Sequence, residues 1–322
     1  MADERAFWIA EEGRGEIRRC SETELADGML RVKSRFGAIS RGTERLVFSG
    51  GVPAAEHERM RAPHQEGDFD FPVKYGYALV GEVVEGPPDA IGRTVFCLHP
   101  HQDRLILPQA DAVPVPDGVP AERAVLAANM ETALNVVWDA GIAPGDRVAI
   151  VGGGLLGLLV AYLTARIPGT TTTLIDLDDT RLPVCERLGA RFALPDDAPQ
   201  DCDVVVHASA SEAGLATAIA AAGTESRIVE MSWYGDKPVR LELGGAFHSR
   251  RLSLVSSQVG SVPAHRRARW THRRRLETAL ALLTDPRLDD LVSGETSFSD
   301  LPDRYAEILN DPGTLCHRIR YA

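Results

Sequence analysis

The sequence predicts an α/β protein in which a β-rich part accompanies a doubly wound parallel sheet. Three observations carry this reading. Residues 1 to about 135 hold short β-like runs broken repeatedly by Gly and Pro. From about residue 145 strand and helix patterns alternate, which implies a parallel sheet with helices on both faces. A turn-forming spacing, Gly152-Gly153-Gly154-Leu155-Leu156-Gly157, stands between a strand-like and an apolar helical run.

In chain order, the β-rich part offers strands at residues 30–34, 78–84 and 93–96. Residues 108–120, with four prolines, read as an ordered connector. The alternating part offers strands at 148–151, 171–175, 204–208, 227–231 and 252–256. Its helices fall at 155–166, 179–188, 212–222 and 274–283. The tail from about residue 291 ends in a strand-like run, 316–321, expected to fold back on the first part.

The glycine spacing points to a dinucleotide-binding βαβ unit. Gly152 permits a tight strand-to-helix turn, Gly154 lets backbone approach a pyrophosphate, and Gly157 lets the helix pack closely on the strand. The free N–H groups of Leu155 and Leu156, at the positive end of the helix dipole, would receive the anion. Asp176 follows Gly157 by 19 residues, at the end of the next strand, where a carboxylate accepts hydrogen bonds from an adenosine ribose. That placement favours NAD over NADP. Arg181, five residues further on, either flanks the same ribose or sits on a solvated helix face; the first case would make NADP plausible. Ser232, with Trp233 and Tyr234, follows the fifth strand at the sheet edge where ligands of such folds collect. The two aromatics line that pocket or decorate a surface loop.

Composition excludes several classes. The 322 residues are 44% hydrophobic and 25% charged, which suits a soluble protein of about two domains. A net charge of −11 disfavours nucleic acid and anionic membrane as partners. Five cysteines, Cys20, Cys97, Cys185, Cys202 and Cys316, show no CxxC spacing, so neither a disulfide framework nor a zinc knuckle is indicated. The opening Met1-Ala2-Asp3-Glu4-Arg5 is charged, and no run reaches the ~20 apolar residues of a membrane span. A cytoplasmic protein is expected.

Several segments together resemble the medium-chain dehydrogenase/reductase superfamily, the alcohol dehydrogenase and quinone reductase relatives. They are Ile39-Ser40-Arg41-Gly42-Thr43-Glu44, Tyr75-Gly76-Tyr77-Ala78-Leu79-Val80-Gly81-Glu82-Val83, Pro116-Asp117-Gly118-Val119, Gly145-Asp146-Arg147-Val148 and Arg187-Leu188-Gly189-Ala190. The resemblance implies a GroES-like catalytic domain at 1–135, a Rossmann domain at 136–288 and a tail, 289–322, completing the first. It also implies an active site in the cleft and a homodimer, with sheet edges pairing near residues 252–256. Zinc-dependent members carry Cys, His-Glu and Cys or acid at three positions; here these hold Ser40 or Arg41, Tyr77-Ala78, and Ala127 or Ala128. A catalytic zinc needs about three such ligands, so the chain resembles a zinc-free branch similar to bacteriochlorophyllide hydroxyethyl dehydrogenase-like proteins, with no metal site.

Without zinc, hydrogen-bond donors must polarise a substrate carbonyl. Tyr77, standing where a ligating histidine would project, either donates from its hydroxyl or fills the vacated space. Thr43 matches a proton-relaying Ser/Thr of the relatives or bonds its own turn. Glu44 reads as structural, bridging to a base such as Arg41. His99 and His101 allow three readings: a proton shuttle, half of a metal site, or an exposed polar loop. Glu131 has a buried partner or a catalytic duty, and Thr132 beside it matches a threonine near the nicotinamide in relatives. His207 is isolated, close to the cofactor or packed. The run Arg266, Arg267, Arg269, Arg273, Arg274, Arg275 is a solvated face, an oligomer contact or a recruiter of anionic substrate.

These readings converge on a zinc-independent, NAD-favouring oxidoreductase interconverting an alcohol and a ketone or aldehyde on a small polar metabolite. An enoyl or quinone reductase is the alternative enzyme. A catalytically silent, redox-sensing nucleotide binder is the alternative outside enzymes.

Overall fold

The computed structural model describes residues 4–20 and 24–322. The charged opening Met1-Ala2-Asp3 lies outside them. The chain forms two compact units: Met1–Ala128 together with Leu276–Ala322, and Asn129–Arg275.

In the second unit, six parallel strands form one sheet in the order Arg191–Ala193, Thr171–Ile175, Arg147–Val151, Cys202–His207, Ala222–Glu230, Ser253–Ser256. In the unit's own strand count this is 3-2-1-4-5-6, the Rossmann order, whose switch point lies between the first and fourth strands. Val148, Ala149, Ile150 and Val151 are all buried, because a central parallel strand is covered on both faces. The helix Leu155–Thr164 buries eight of its ten residues. Its counterpart Glu212–Ala221 packs Ala218, Ile219 and Ala221 into a cluster with Ala149, Val205 and Ile228.

Expectation and structure differ here mainly at element ends. The 179–188 helix begins as a 3-10 turn, Asp179–Arg181, because the Asp178 side chain accepts from the Thr180 N–H, and it continues as Leu182–Arg187. The helix expected at 274–283 is His272–Ala281 followed by a 3-10 turn, Leu282–Thr284.

The first unit contains two sheets. The larger holds Val292–Ser297, Cys316–Arg320, Met29–Ser40, Leu79–Glu85, Thr94–Cys97 and Val113–Pro114 in that order, with Arg104–Pro108 also pairing Met29–Ser40. The smaller holds Arg14–Arg19, Arg5–Glu11, Val73–Lys74 and Glu66–Gly67. As expected, the tail folds back: Cys316–Arg320 runs antiparallel to Met29–Ser40, from Cys316 opposite Ser40 to Arg320 opposite Phe36. The proline-rich 108–120 segment is no connector between units. It lies wholly within the first and contributes the strand Val113–Pro114.

The glycine turn shows why its residues are small. Gly152 has φ of +117°, and a Cβ there would lie 2.8 Å from Ala208 C and Ser209 N. A Cβ on Gly157 would stand 1.9 Å from the Gly152 carbonyl oxygen. Backbone atoms cannot yield as a flexible side chain does, so Gly157→Ala is expected to lower the urea unfolding free energy by about 1–3 kcal/mol. An unchanged midpoint would show that the helix does not rest on the turn.

Candidate active site

The second unit presents a cradle at the carboxyl end of Arg147–Val151. Gly154 is the N-cap of Leu155–Thr164 and offers no side-chain cap, so the first-turn N–H groups, Leu155 and Leu156 among them, lack intrahelical partners. Gly154 is exposed, and nothing lies within 4 Å of where its Cβ would be. The Asp176 carboxylate accepts from the Gly153 N–H and, at 2.8 Å, from the Asp178 N–H. Those two bonds hold the acid beside the turn. Small residues, free donors and a fixed carboxylate fit an adenine dinucleotide, its diphosphate on the helix terminus.

Arg181 is not on a solvated face. Its side chain is 12% exposed and pairs with Asp178 at 3.3 Å. Ser232 joins two loops of the same edge: its Oγ accepts from the Ala210 N–H at 3.1 Å, and its own N–H donates to Glu230 Oε1 at 2.8 Å.

A polar network around His207 was not apparent in the sequence. The ring is fully buried, with Nδ1 2.6 Å from Glu230 Oε2 and Nε2 2.6 Å from Ser209 Oγ. Tyr234 donates its hydroxyl to Glu230 at 3.1 Å. Burial and the Glu230 carboxylate push the Tyr234 phenol well up, so Tyr234 belongs to this network and is no loose surface aromatic. The signal that could have found it is His207 and Glu230 at matching positions on neighbouring parallel strands.

Glu131 has the buried partner foreseen as one alternative. Arg275 Nε meets its Oε1 at 3.0 Å, with the two side chains 2% and 6% exposed. Arg275 also donates to Asn135 Oδ1 and the Val259 carbonyl, each at 2.5 Å. Burial raises the Glu131 pKa and Arg275 partly offsets it. With one oxygen committed to a guanidinium, Glu131 matches the buried-partner alternative. Thr132, half-buried, follows it on the helix Ala127–Ala140. The arginine run is likewise neither a uniform solvated face nor a free anion patch. Arg275 is internal, Arg266 lies 5.0 Å over Trp138, and Arg274 lies 4.0 Å over Trp270.

The first unit gathers a second cluster. Glu44, fully buried, accepts from the Ser40 N–H at 2.7 Å and from the Tyr305 hydroxyl at 2.6 Å, and lies 2.8 Å from His101 Nε2. It does not bridge to Arg41, whose Nε donates instead to the Leu309 carbonyl. Thr43 and Glu44 stand in the first turn of the helix Arg41–Phe48, where a carboxylate is favoured, rather than in a loop turn. The Ser40 and Thr43 side chains lie beside Tyr77 and favour the ionised form of its phenol. Burial and the nearby Glu44 charge push its phenol up to about 12, so it stays protonated near neutrality. Of Tyr75, Tyr77 and Tyr305, it alone keeps partial exposure.

His99 and His101 are not an exposed loop. Both are buried, and their partners differ: His99 Nδ1 is 2.9 Å from the Pro100 carbonyl oxygen and its ring stacks on His64, while His101 faces Glu44. They are not on a strand and do not converge as half a metal site. Burial drives the His99 pKa down to about 3, which favours the neutral ring near neutrality. Among the described residues no three His, Cys, Asp or Glu side chains group as a metal ion requires.

No family model matches the chain. An alcohol dehydrogenase of Cupriavidus necator H16 is 30% identical over 304 residues, covering 86% of this chain and 76% of that one. The chain belongs to the alcohol dehydrogenase family of medium-chain dehydrogenases/reductases. D-guloside 3-dehydrogenase of Escherichia coli K12 is 23% identical over 312 residues, covering 87% of this chain and 89% of that one. The solved structure of an alcohol dehydrogenase from E. coli CFT073, complexed with NADH, superposes with a TM-score of 0.78 at 15% identity, covering 99% and 100% of the two chains. The β-rich unit is thus the family's GroES-like domain and the parallel sheet its Rossmann domain. Among the described residues no helix is long and apolar enough to cross a membrane.

The depressed His99 pKa sets a pH dependence. The unfolded imidazole takes its proton near 6.5 and the folded one only near 3, so this group withdraws stability as pH falls through that window and is neutral above it. Urea midpoints taken from about pH 7.5 to about 4.5 should fall less steeply for His99→Gln than for the parent chain. Parallel curves would mean that His99 is not held neutral.

Proposed function

We propose that the chain is an NAD(H)-dependent, zinc-independent dehydrogenase that interconverts an alcohol and a carbonyl on a small polar metabolite. The observation that carries this is Tyr77. It occupies the position where zinc-dependent relatives place a histidine ligand, lies beside the Ser40 and Thr43 hydroxyls, and keeps its proton across the neutral range. Nicotinamide supplies the hydride chemistry when bound. The protein's task is then orientation and proton handling. Gly152, Gly154, Leu155, Leu156 and Gly157 would receive the diphosphate, Asp176 the adenosine ribose, and Ser232 and Thr132 would lie toward the nicotinamide end.

Tyr77 would hold the substrate oxygen by hydrogen bond and give up its proton as negative charge develops there. Thr43, which is partly exposed, would then relay a proton from solvent to the phenolate, with Ser40 beside it. Zinc independence is supported by the donor set, since Ser40, Tyr77, Ala127 and Ala128 stand where three ligands would be required. The preference for NAD is supported by Asp176, whose negative charge beside the turn would repel a ribose 2′-phosphate. Dimerisation through the sheet edge is supported by Ser253–Ser256, an edge strand that leaves Leu254 38% exposed.

Tyr77→Phe keeps the ring and deletes the proton. It is expected to lower kcat by about 10²- to 10⁴-fold, with nicotinamide nucleotide affinity by fluorescence titration unchanged and activity unaffected by prior chelator dialysis. Full activity in Tyr77→Phe would remove the phenol from the mechanism. Turnover confined to an α,β-unsaturated ketone, with none on the saturated ketone, would make the chain a double-bond reductase. Nucleotide binding without turnover on either would leave it a sensor.

A further inference from the structure

Five cations line one cavity of about 670 Å³ in the first unit: Arg5, Arg19, Lys33, Arg104 and Arg320. Such a concentration is unexpected in a chain of net charge −11. Asp103 is the acidic side chain in the lining, and it is spent on Arg5, accepting from both its backbone N–H and its Nε. Arg320 reaches outside the lining to Glu295 at 3.1 Å.

The register sharpens the point. Arg5 stands directly opposite Arg19 on neighbouring antiparallel strands, and Lys33 directly opposite Arg104 on another antiparallel pair. Like charges in opposed positions destabilise a sheet, yet two such pairs converge on the same space. Lys33 and Arg104 make no ion pair among the described residues. Glu82, the Lys33 neighbour on the opposite strand, is not within ion-pairing distance of it. Asp103 already stands against Arg5 in the first pair; an anion beside the second would remove the Lys33–Arg104 repulsion. The planar guanidinium forks would meet its oxygens in the paired geometry that suits phosphate.

We propose that this cavity is a binding site for a multiply charged phosphate, either the free anion or the phosphate group of a small ester. None of its residues belongs to the glycine turn or to the Tyr77 cluster, so the site does not depend on the activity proposed above.

The test uses the full chain saturated with NADH, so that the dinucleotide turn is filled. Sodium pyrophosphate is titrated calorimetrically and by thermal melting, against potassium chloride of matched ionic strength. Saturable binding is expected, with a rise in Tm that the chloride does not reproduce and an affinity loss of at least about tenfold in Lys33→Gln/Arg104→Gln. Because those changes relieve a repulsion, the double variant should melt no lower than the parent in phosphate-free buffer. Arg19→Gln, tested alone, should also weaken binding, whereas Arg93→Gln, outside the cavity, should not. Equal Tm gains from chloride, or unchanged affinity in both cavity variants, would overturn the proposal. Tighter binding of a hexose monophosphate than of inorganic phosphate would identify an ester as the ligand, and the reverse order the free anion.

Discussion

Much of the second unit depends on one close backbone approach. Gly157 lies so near the Gly152 carbonyl that no side-chain carbon fits between them. That contact lets Leu155–Thr164 begin directly at the end of Arg147–Val151, with its unpaired N–H groups at the carboxyl edge of the sheet. Asp176 reaches the same place because its strand is paired in register with the first, Val151 opposite Ile175. The turn, the helix terminus and the acid are therefore one construction, and an anion-receiving cradle follows from packing before any ligand is considered.

This explains which features were legible. The parallel sheet could be read because two of its central strands carry short continuous apolar runs, residues 148–151 and 204–206, and because Gly152, Gly154 and Gly157 carry their meaning in local spacing. Element ends were less legible. Asp178 capping a 3-10 turn is a choice between two nearly equal backbone conformations, decided by one side-chain oxygen. Long-range polar contacts were hardly legible at all. Glu44 and Tyr305 are 261 residues apart in sequence, and no local pattern links them; Arg275 and Glu131, 144 apart, meet in the same way. A charged residue in an apolar setting announces that it needs a partner without naming it.

The histidine pair shows the same limit from another side. Two histidines flanking a proline look polar and exposed when only neighbours in sequence are considered. Their burial comes from chain segments far away: Glu44 for His101 and His64 for His99. Desolvation then decides the chemistry, holding His99 neutral where the free side chain would titrate near neutrality.

The same desolvation acts on Tyr77 and fixes what kind of donor it can be. A phenol raised to about 12 is a weak acid at neutral pH, so it cannot serve as a freely exchanging proton source in the manner of an imidazole. Its value lies in position and in the dry setting. A hydrogen bond aimed at an oxygen that gains charge during reaction is typically worth about 2.7–4 kcal/mol when it is preorganised and shielded from water. Ser40 and Thr43 favour the ionised form of the phenol, while the Glu44 charge opposes it. In the proposed reaction this balance would keep the proton on Tyr77 until the substrate oxygen becomes the stronger base. A metal ion would stabilise that oxygen from the start; a buried phenol stabilises it most as the charge appears, which is when a rate is set.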